Sequence, residues 1–535
     1  MEESPAEAKA LSSLLPPSAL VVVAAGPEPA AITQRLSALL AELENLPASE
    51  LTPAQQRQTL AALSLQWYRE SDLQAPLAAA IVLNLEVENP LQDLKRDLEL
   101  ALQHVSERPQ ESLERGNIYY HPQPLAAQGK VAFVYPGSGA NFLGLGRELA
   151  LRFPAQMEAL DSRQKYLADE FMARWNQPYA LDWSEGWQHR AWERLSADTH
   201  QMMFSQVSFA MLSTAVVRHL GIEPQAAIGY SLGESAALFS LGAWPDPDLM
   251  YERMQSSELF RKDLSGPCRS ARQAWQIPAE EPFTWVVGLL RLPAPQVSAA
   301  MEGIERIRLL IVNTDTECVV GGVPQALEEL CRRLHTQAIT VSGVDTVHCD
   351  CLAPVARQYW EMHHLPCTPP PGIDFYSAYF QKAYPLTSEA IADSIAGHGQ
   401  HGFNYPATIR QAWADGVRLF LEMGPGASCT RMIRSILRDE PHAAYSLSAR
   451  NQNEALSLAH FLAAVLSQGL RPNLVELWGQ LESAPAATPS KDLRLGRAPY
   501  APALPKFPTL TQSAPALSEE LTPAPEAAPP AAPNF

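Results

Sequence analysis

Residues 226–238 read Ala226-Ala227-Ile228-Gly229-Tyr230-Ser231-Leu232-Gly233-Glu234-Ser235-Ala236-Ala237-Leu238. An apolar run of strand length ends in Gly-x-Ser-x-Gly, and an Ala/Leu-rich helical pattern begins at once. A chain that turns from strand to helix in so few residues needs small neighbours at the corner, and it lifts the corner side chain out of the sheet edge. The Ser231 hydroxyl is then aimed at the first turn of the helix, where free backbone N–H groups and the positive dipole end favour a developing oxyanion. The spacing therefore predicts a nucleophilic serine in an α/β domain. The competing reading is a glycine-rich strand-to-helix turn whose serine merely caps the helix.

At 535 residues the chain is long enough for two to four domains, and 46% hydrophobic content fits well-filled cores. No apolar run reaches bilayer-spanning length. The start, Met1-Glu2-Glu3-Ser4-Pro5, is acidic and lacks the basic-then-apolar layout of a signal peptide. A net charge of −18 argues against broad binding to nucleic acid or anionic membrane. Seven cysteines, none in a CxxC pair, indicate neither a disulfide framework nor a zinc site. Cys349-Asp350-Cys351 beside His348 would crowd its ligands onto one short strand, which suits tetrahedral zinc poorly, so no metal is expected. A reduced, cytoplasmic protein is the expectation.

Working outward, residues 1–18 read as a loose lead-in and 19–128 as an α/β linker or adaptor module. Its strands are Leu20–Ala25, Leu77–Val87 and Ile118–Tyr120, and its helices Ala30–Leu46, Thr52–Tyr68 and Leu91–His104. A larger α/β-hydrolase-like subdomain is expected over 129–270 and 343–478. It holds strand Val131–Tyr135, the turn Pro136-Gly137-Ser138-Gly139-Ala140-Asn141 and a helix from about Leu143 to Phe153. Helix Met203–Leu220 then leads to the Ser231 strand, and helix Asp248–Phe260 follows the elbow helix. Between the two parts, 271–342 alternate β-α-β-β-α-β, which predicts an inserted ferredoxin-like subdomain. From 479 to 535 the chain is Pro/Ala-rich. Pro499, Pro502, Pro505 and Pro508 keep the polyproline II period, so this piece reads as a surface-wrapping linker followed by a disordered tail.

A serine nucleophile needs a base, and histidine suits that task near neutral pH. His348, at the end of a predicted strand just after the insertion, is the candidate. His219 and His460 fall in helical patterns and His363-His364 in a loop. The alternative for His348 is a core histidine bonded to backbone.

Taken together, these residues resemble the malonyl/acyltransferase domains of fatty acid, polyketide and polyunsaturated fatty acid synthases. Tyr135-Pro136-Gly137-Ser138-Gly139-Ala140-Asn141 is similar to that family's Phe-Pro-Gly-Gln-Gly-x-Gln turn, and Gly229-Tyr230-Ser231-Leu232-Gly233-Glu234 to its Gly-His-Ser-x-Gly-Glu. Gln206 matches a glutamine in the preceding helix, and Val347-His348-Cys349 falls where the second catalytic residue lies. Glu422-Met423-Gly424-Pro425-Gly426 matches a late Glu-x-Gly-Pro-Gly turn. The match runs from about Lys130 to Ser467; the segments before it and at Leu493–Pro508 resemble the linkers that flank such domains.

The resemblance implies a Ser231–His348 dyad passing an acyl group from acyl-CoA to the phosphopantetheine thiol of an acyl carrier protein. It implies an oxyanion hole from the N–H groups of Leu232 and Ser138, and a backbone carbonyl near Thr408 orienting the imidazole. Substrate contacts fall on Gln206, Tyr230, Asn313 and the helix after the elbow. Malonyl-specific members place an arginine on that helix to grip a free carboxylate. Here ungapped counting reaches Ser256, with Arg253 one turn earlier as a possible substitute, its other reading being a solvated arginine. The acyl group is therefore open between malonyl and uncarboxylated. No resident cofactor, nucleic acid or membrane is implied. Partners would be the carrier protein, through a basic patch including Arg431 or Arg434, and a ketosynthase or other synthase domains. Alternatives are an editing thioesterase on the same scaffold and a catalytically inactive docking module.

Overall fold

Ala226-Ala227-Ile228-Gly229 carries no polar position, as a strand covered on both faces requires. In the computed structural model all four residues are buried in the middle of a six-stranded sheet. The structure describes residues 16–47, 51–170, 186–278, 280–341, 346–448 and 453–482. Most of the expected lead-in, the wrapping linker and the tail therefore lie outside the described residues. The sheet runs Lys382–Ala383, Asp374–Ser377, Ala226–Gly229, Lys130–Tyr135, Val417–Glu422, Ala443–Ser446. It is parallel except at the Lys382–Ala383 edge. Strand order reverses at Lys130–Tyr135, and ligands of open parallel sheets bind beyond the carboxyl ends of strands at such a reversal. Both glycine-rich turns, 136–141 and 230–233, leave the sheet there.

A second sheet gathers Ala19–Gly26, Leu77–Asn84, Ile118–Tyr120 and Leu113–Arg115, antiparallel in that order. Helices Pro29–Glu44, Pro53–Glu70 and Pro90–Glu107 accompany it. Thr52 starts the second of these with a reciprocal capping box to Gln55. A third sheet runs Ile339–Thr340, Val286–Leu290, Glu317–Gly322, Ile307–Thr314, antiparallel between neighbours. Phe403–Asn404 adds a parallel edge to it and leads into helix Tyr405–Ala414, which packs on the parallel sheet.

Several element boundaries differ from the sequence reading for local reasons. The helix expected from Leu143 begins only at Arg147, because Gly144 and Gly146 take left-handed backbone angles (φ 82° and 78°). The helix expected over Asp248–Phe260 is broken. Pro247–Ser256 ends where Ser257 becomes extended, and a single π turn, Leu259–Asp263, follows. His348 is not on a strand but in a bend, at φ 65°, ahead of the 3-10 turn Asp350–Val355. His363, expected in a loop, is the last residue of helix Ala356–His363.

Candidate active site

Ser231 sits between strand and helix at φ 55°, ψ −118°, a conformation that costs a non-glycine residue of order 1–3 kcal/mol. Its neighbours make the corner possible. A Cβ on Gly233 would lie 1.9 Å from the Tyr135 carbonyl oxygen, and one on Gly229 would lie 2.1 Å from the Glu234 nitrogen. Leu232 opens helix Leu232–Ser240, so its N–H has no acceptor one turn back.

The Ser231 Oγ lies 2.8 Å from His348 Nε2, and His348 Nδ1 lies 2.9 Å from the carbonyl oxygen of His398. A carbonyl only accepts, so Nδ1 carries the proton and the Nε2 lone pair faces the serine hydroxyl. Burial pushes the His348 imidazole down to about 4, with the His398 carbonyl pulling the other way. The orienting carbonyl is therefore that of His398, not one near Thr408. Thr408 is buried inside helix Tyr405–Ala414, whereas His398 lies in the last turn of helix Ser388–His401, where its carbonyl accepts from the Gly402 N–H (3.1 Å) and has a second lone pair for His348. The His398 ring also stacks on His348 at 5.4 Å between centroids, and its Nε2 is 3.5 Å from a carboxyl oxygen of Glu234. Glu234 is enclosed and accepts from Tyr384 and Ser394; burial lifts its carboxyl to about 7.

The turn bearing Ser138 is held from behind. Gln206 Nε2 donates to the carbonyls of Pro136 (2.9 Å) and Gly137 (2.5 Å), and Asn141 Nδ2 donates to the Met202 carbonyl (2.6 Å). Gln206 is buried behind the turn and off the cavity wall, so it positions the loop rather than touching substrate. Ser138 and Leu232 both face the cavity.

That cavity has a volume of about 460 Å³ and opens over Ser231 and His348. On one wall the Tyr230 hydroxyl donates to Asn313 Oδ1 (2.7 Å) and Asn313 Nδ2 donates to Glu317 (3.1 Å). Arg431 clasps the same carboxylate with two nitrogens (3.0 and 3.1 Å). Two expected contacts are not there. Arg253 turns its guanidinium onto the carbonyls of Glu361, Met362 and His364 (2.8, 3.3 and 3.0 Å), closing the C-terminal end of helix Ala356–His363. Ser256 donates to the Arg253 carbonyl at its own helix end and stays off the cavity. Of the two arginines expected in a basic patch, Arg434 is spent on the Ala444 carbonyl and on the face of Tyr445. Arg431 is half exposed but already paired with Glu317. Both carboxyl oxygens of Asp350 are taken by Arg308, which leaves Cys349-Asp350-Cys351 poorly equipped to hold a metal.

Fold and elbow together define the class: the chain has the fold of the acyltransferase domains of polyketide synthases. The acyltransferase domain from module 8 of the salinomycin polyketide synthase superposes with a TM-score of 0.63 at 16% identity, covering 87% of this chain and 99% of that one. The acyltransferase domain of SpnD gives 0.61 at 16% identity, over 88% and 98%. In sequence the chain is 23% identical over 419 residues to a polyunsaturated fatty acid synthase component of Thraustochytrium sp. (strain ATCC 26185 / S-3). That match takes in 74% of this chain and 20% of the relative. It is 26% identical over 353 residues to the spectinabilin polyketide synthase protein NorB of Streptomyces orinoci, 63% of this chain and 14% of the relative. The chain thus spans about a fifth or less of the curated relatives' length. No family model matches. No described helix is long and apolar enough to cross a membrane.

Proposed function

We propose that the chain is an acyltransferase that carries an acyl group as an ester on Ser231, from an acyl thioester to the phosphopantetheine thiol of an acyl carrier protein, in polyketide or polyunsaturated fatty acid synthesis. The observation that carries this reading is the line Ser231 Oγ–His348 Nε2, His348 Nδ1–His398 O, set beside the free N–H of Leu232.

The Ser231 oxygen attacks the thioester carbon while its proton passes to His348 Nε2. The carbonyl oxygen, now negative, is received by the N–H groups of Leu232, at the helix start, and Ser138, on the turn that Gln206 holds; donors fixed in place in this way cost no rearrangement. The carbon–sulfur bond breaks, and the leaving thiolate takes the proton from Nε2. The incoming pantetheine thiol then gives its proton to Nε2, its sulfur attacks the ester, and Ser231 recovers the proton. The His398 carbonyl holds Nδ1–H throughout, so Nε2 is the atom through which each proton moves. Synthase partners follow from the same reading.

Peptide mapping after incubation with a panel of acyl-CoA donors tests it. The acyl mass is expected on the peptide containing Ser231 and absent from Ser231→Ala. A label elsewhere, or none in a folded protein, contradicts it.

A further inference from the structure

Resting on that reading of Ser231, we infer that the acyl group is an uncarboxylated aliphatic chain of four or more carbons, seated in an apolar arm of the cavity. Helix Thr199–His219 sends Met203, Val207 and Met211 to the cavity at i, i+4 and i+8, a stripe along one helical face. Helix Pro247–Ser256 sends Met250 and Met254 at the same spacing, and the π turn adds Phe260. These side chains are buried or partly buried in the main apolar core and at the same time line the open space of the cavity. Two apolar stripes facing a void accept an apolar occupant, and methionines adapt their shape to it.

The charges of the arm exclude a carboxylate. Arg431 is the one arginine or lysine among the described residues that line the cavity. From helix Ser428–Ile436 it reaches the third sheet, where Tyr230 also meets Asn313, and Glu317 already occupies it. The lining imidazoles of His363 and His398 are deeply buried, and burial is the main force that pushes His363 down to about 4 and His398 well below the ordinary histidine range. Glu170, which also lines the arm, is an acid held by Ser208. A malonyl carboxylate entering here would be desolvated without a partner, which is unfavourable. Arg253, the nearest guanidinium in sequence to the arm-lining Met254, points to backbone carbonyls instead.

Single-turnover acylation of the full chain by malonyl-, acetyl-, butyryl-, hexanoyl- and octanoyl-CoA, read by intact-protein mass, tests the inference. Acylation kcat/KM is expected to rise about fourfold per added methylene, about 250-fold from butyryl to octanoyl. Met250→Trp, which fills the arm, is expected to lower the octanoyl-to-butyryl ratio at least tenfold; if that variant does not fold, the wild-type series alone decides. Malonyl or acetyl as the fastest donor overturns the inference and leaves the reading of Ser231 standing. No labelling by any donor overturns both.

Discussion

Gln206→Met removes the side-chain amide that ties the Ser138 turn to helix Thr199–His219 while keeping the volume. Gln206 is fully enclosed, and its Nε2 serves two backbone carbonyls, Pro136 at 2.9 Å and Gly137 at 2.5 Å. Each buried acceptor left without a donor costs about 1–3 kcal/mol, so the variant should lose about 2–6 kcal/mol. Domains of ordinary stability hold about 5–15 kcal/mol, so a folded but weakened protein is expected. The second consequence is kinetic. The turn carries the Ser138 N–H, and misplacing one oxyanion donor slows acyl transfer by about 10²–10³-fold. Urea unfolding followed by single-turnover acylation of the folded fraction separates the two effects. An unfolding midpoint equal to wild type, together with acylation within about threefold, would refute the reasoning that Gln206 sets the turn.

Three further outcomes are expected. His348 must be neutral to take the serine proton, and its folded value near 4 keeps it neutral across the ordinary range. Acylation kcat/KM should thus stay flat from pH 8 to about 5 and fall only below, and an acid limb near 6.5 contradicts the burial of the ring. Glu234 is raised from 4.5 to about 7, so its folded form favours the proton and the stability this gives is lost as pH rises from 4.5 through 7. Glu234→Gln should therefore gain on wild type by about 3 kcal/mol between pH 4.5 and 8 in parallel denaturation series, and a constant difference opposes it. Arg253→Ala should cost about 1 kcal/mol through the lost helix-end bonds while leaving the malonyl-to-octanoyl labelling ratio unchanged. A shift in that ratio would restore Arg253 to the substrate.

What the sequence discloses depends on whether a residue acts through its identity or its backbone. The elbow is legible because only glycine fits where a Cβ would meet the Tyr135 carbonyl at 1.9 Å. Gly424 is legible likewise, since a Cβ there would lie 2.4 Å from the Pro136 ring. Residue type singles out His348, and the structure brings it to Ser231 across 117 residues of chain. The orienting role of His398 stays hidden, because it acts through a carbonyl that every residue owns. The one local sign is the helix end marked by Gly402, at φ 72°. The anchoring role of Arg253 is out of reach of helix counting, because its partners lie more than a hundred residues on. The Met203–Val207–Met211 stripe is visible as an apolar face, but a pattern of hydrophobic residues does not distinguish a wall of a cavity from a wall of the core.

The most direct measurement is a chase. The chain is loaded with octanoyl-CoA, freed of donor, and mixed with holo-acyl carrier protein while the masses of both proteins are followed. The acyl mass is expected to leave the enzyme and appear on the carrier at a rate that falls at least about a hundredfold in His348→Ala. Loss of the mass as free acid at one rate with or without carrier, or transfer that is indifferent to His348, would contradict it.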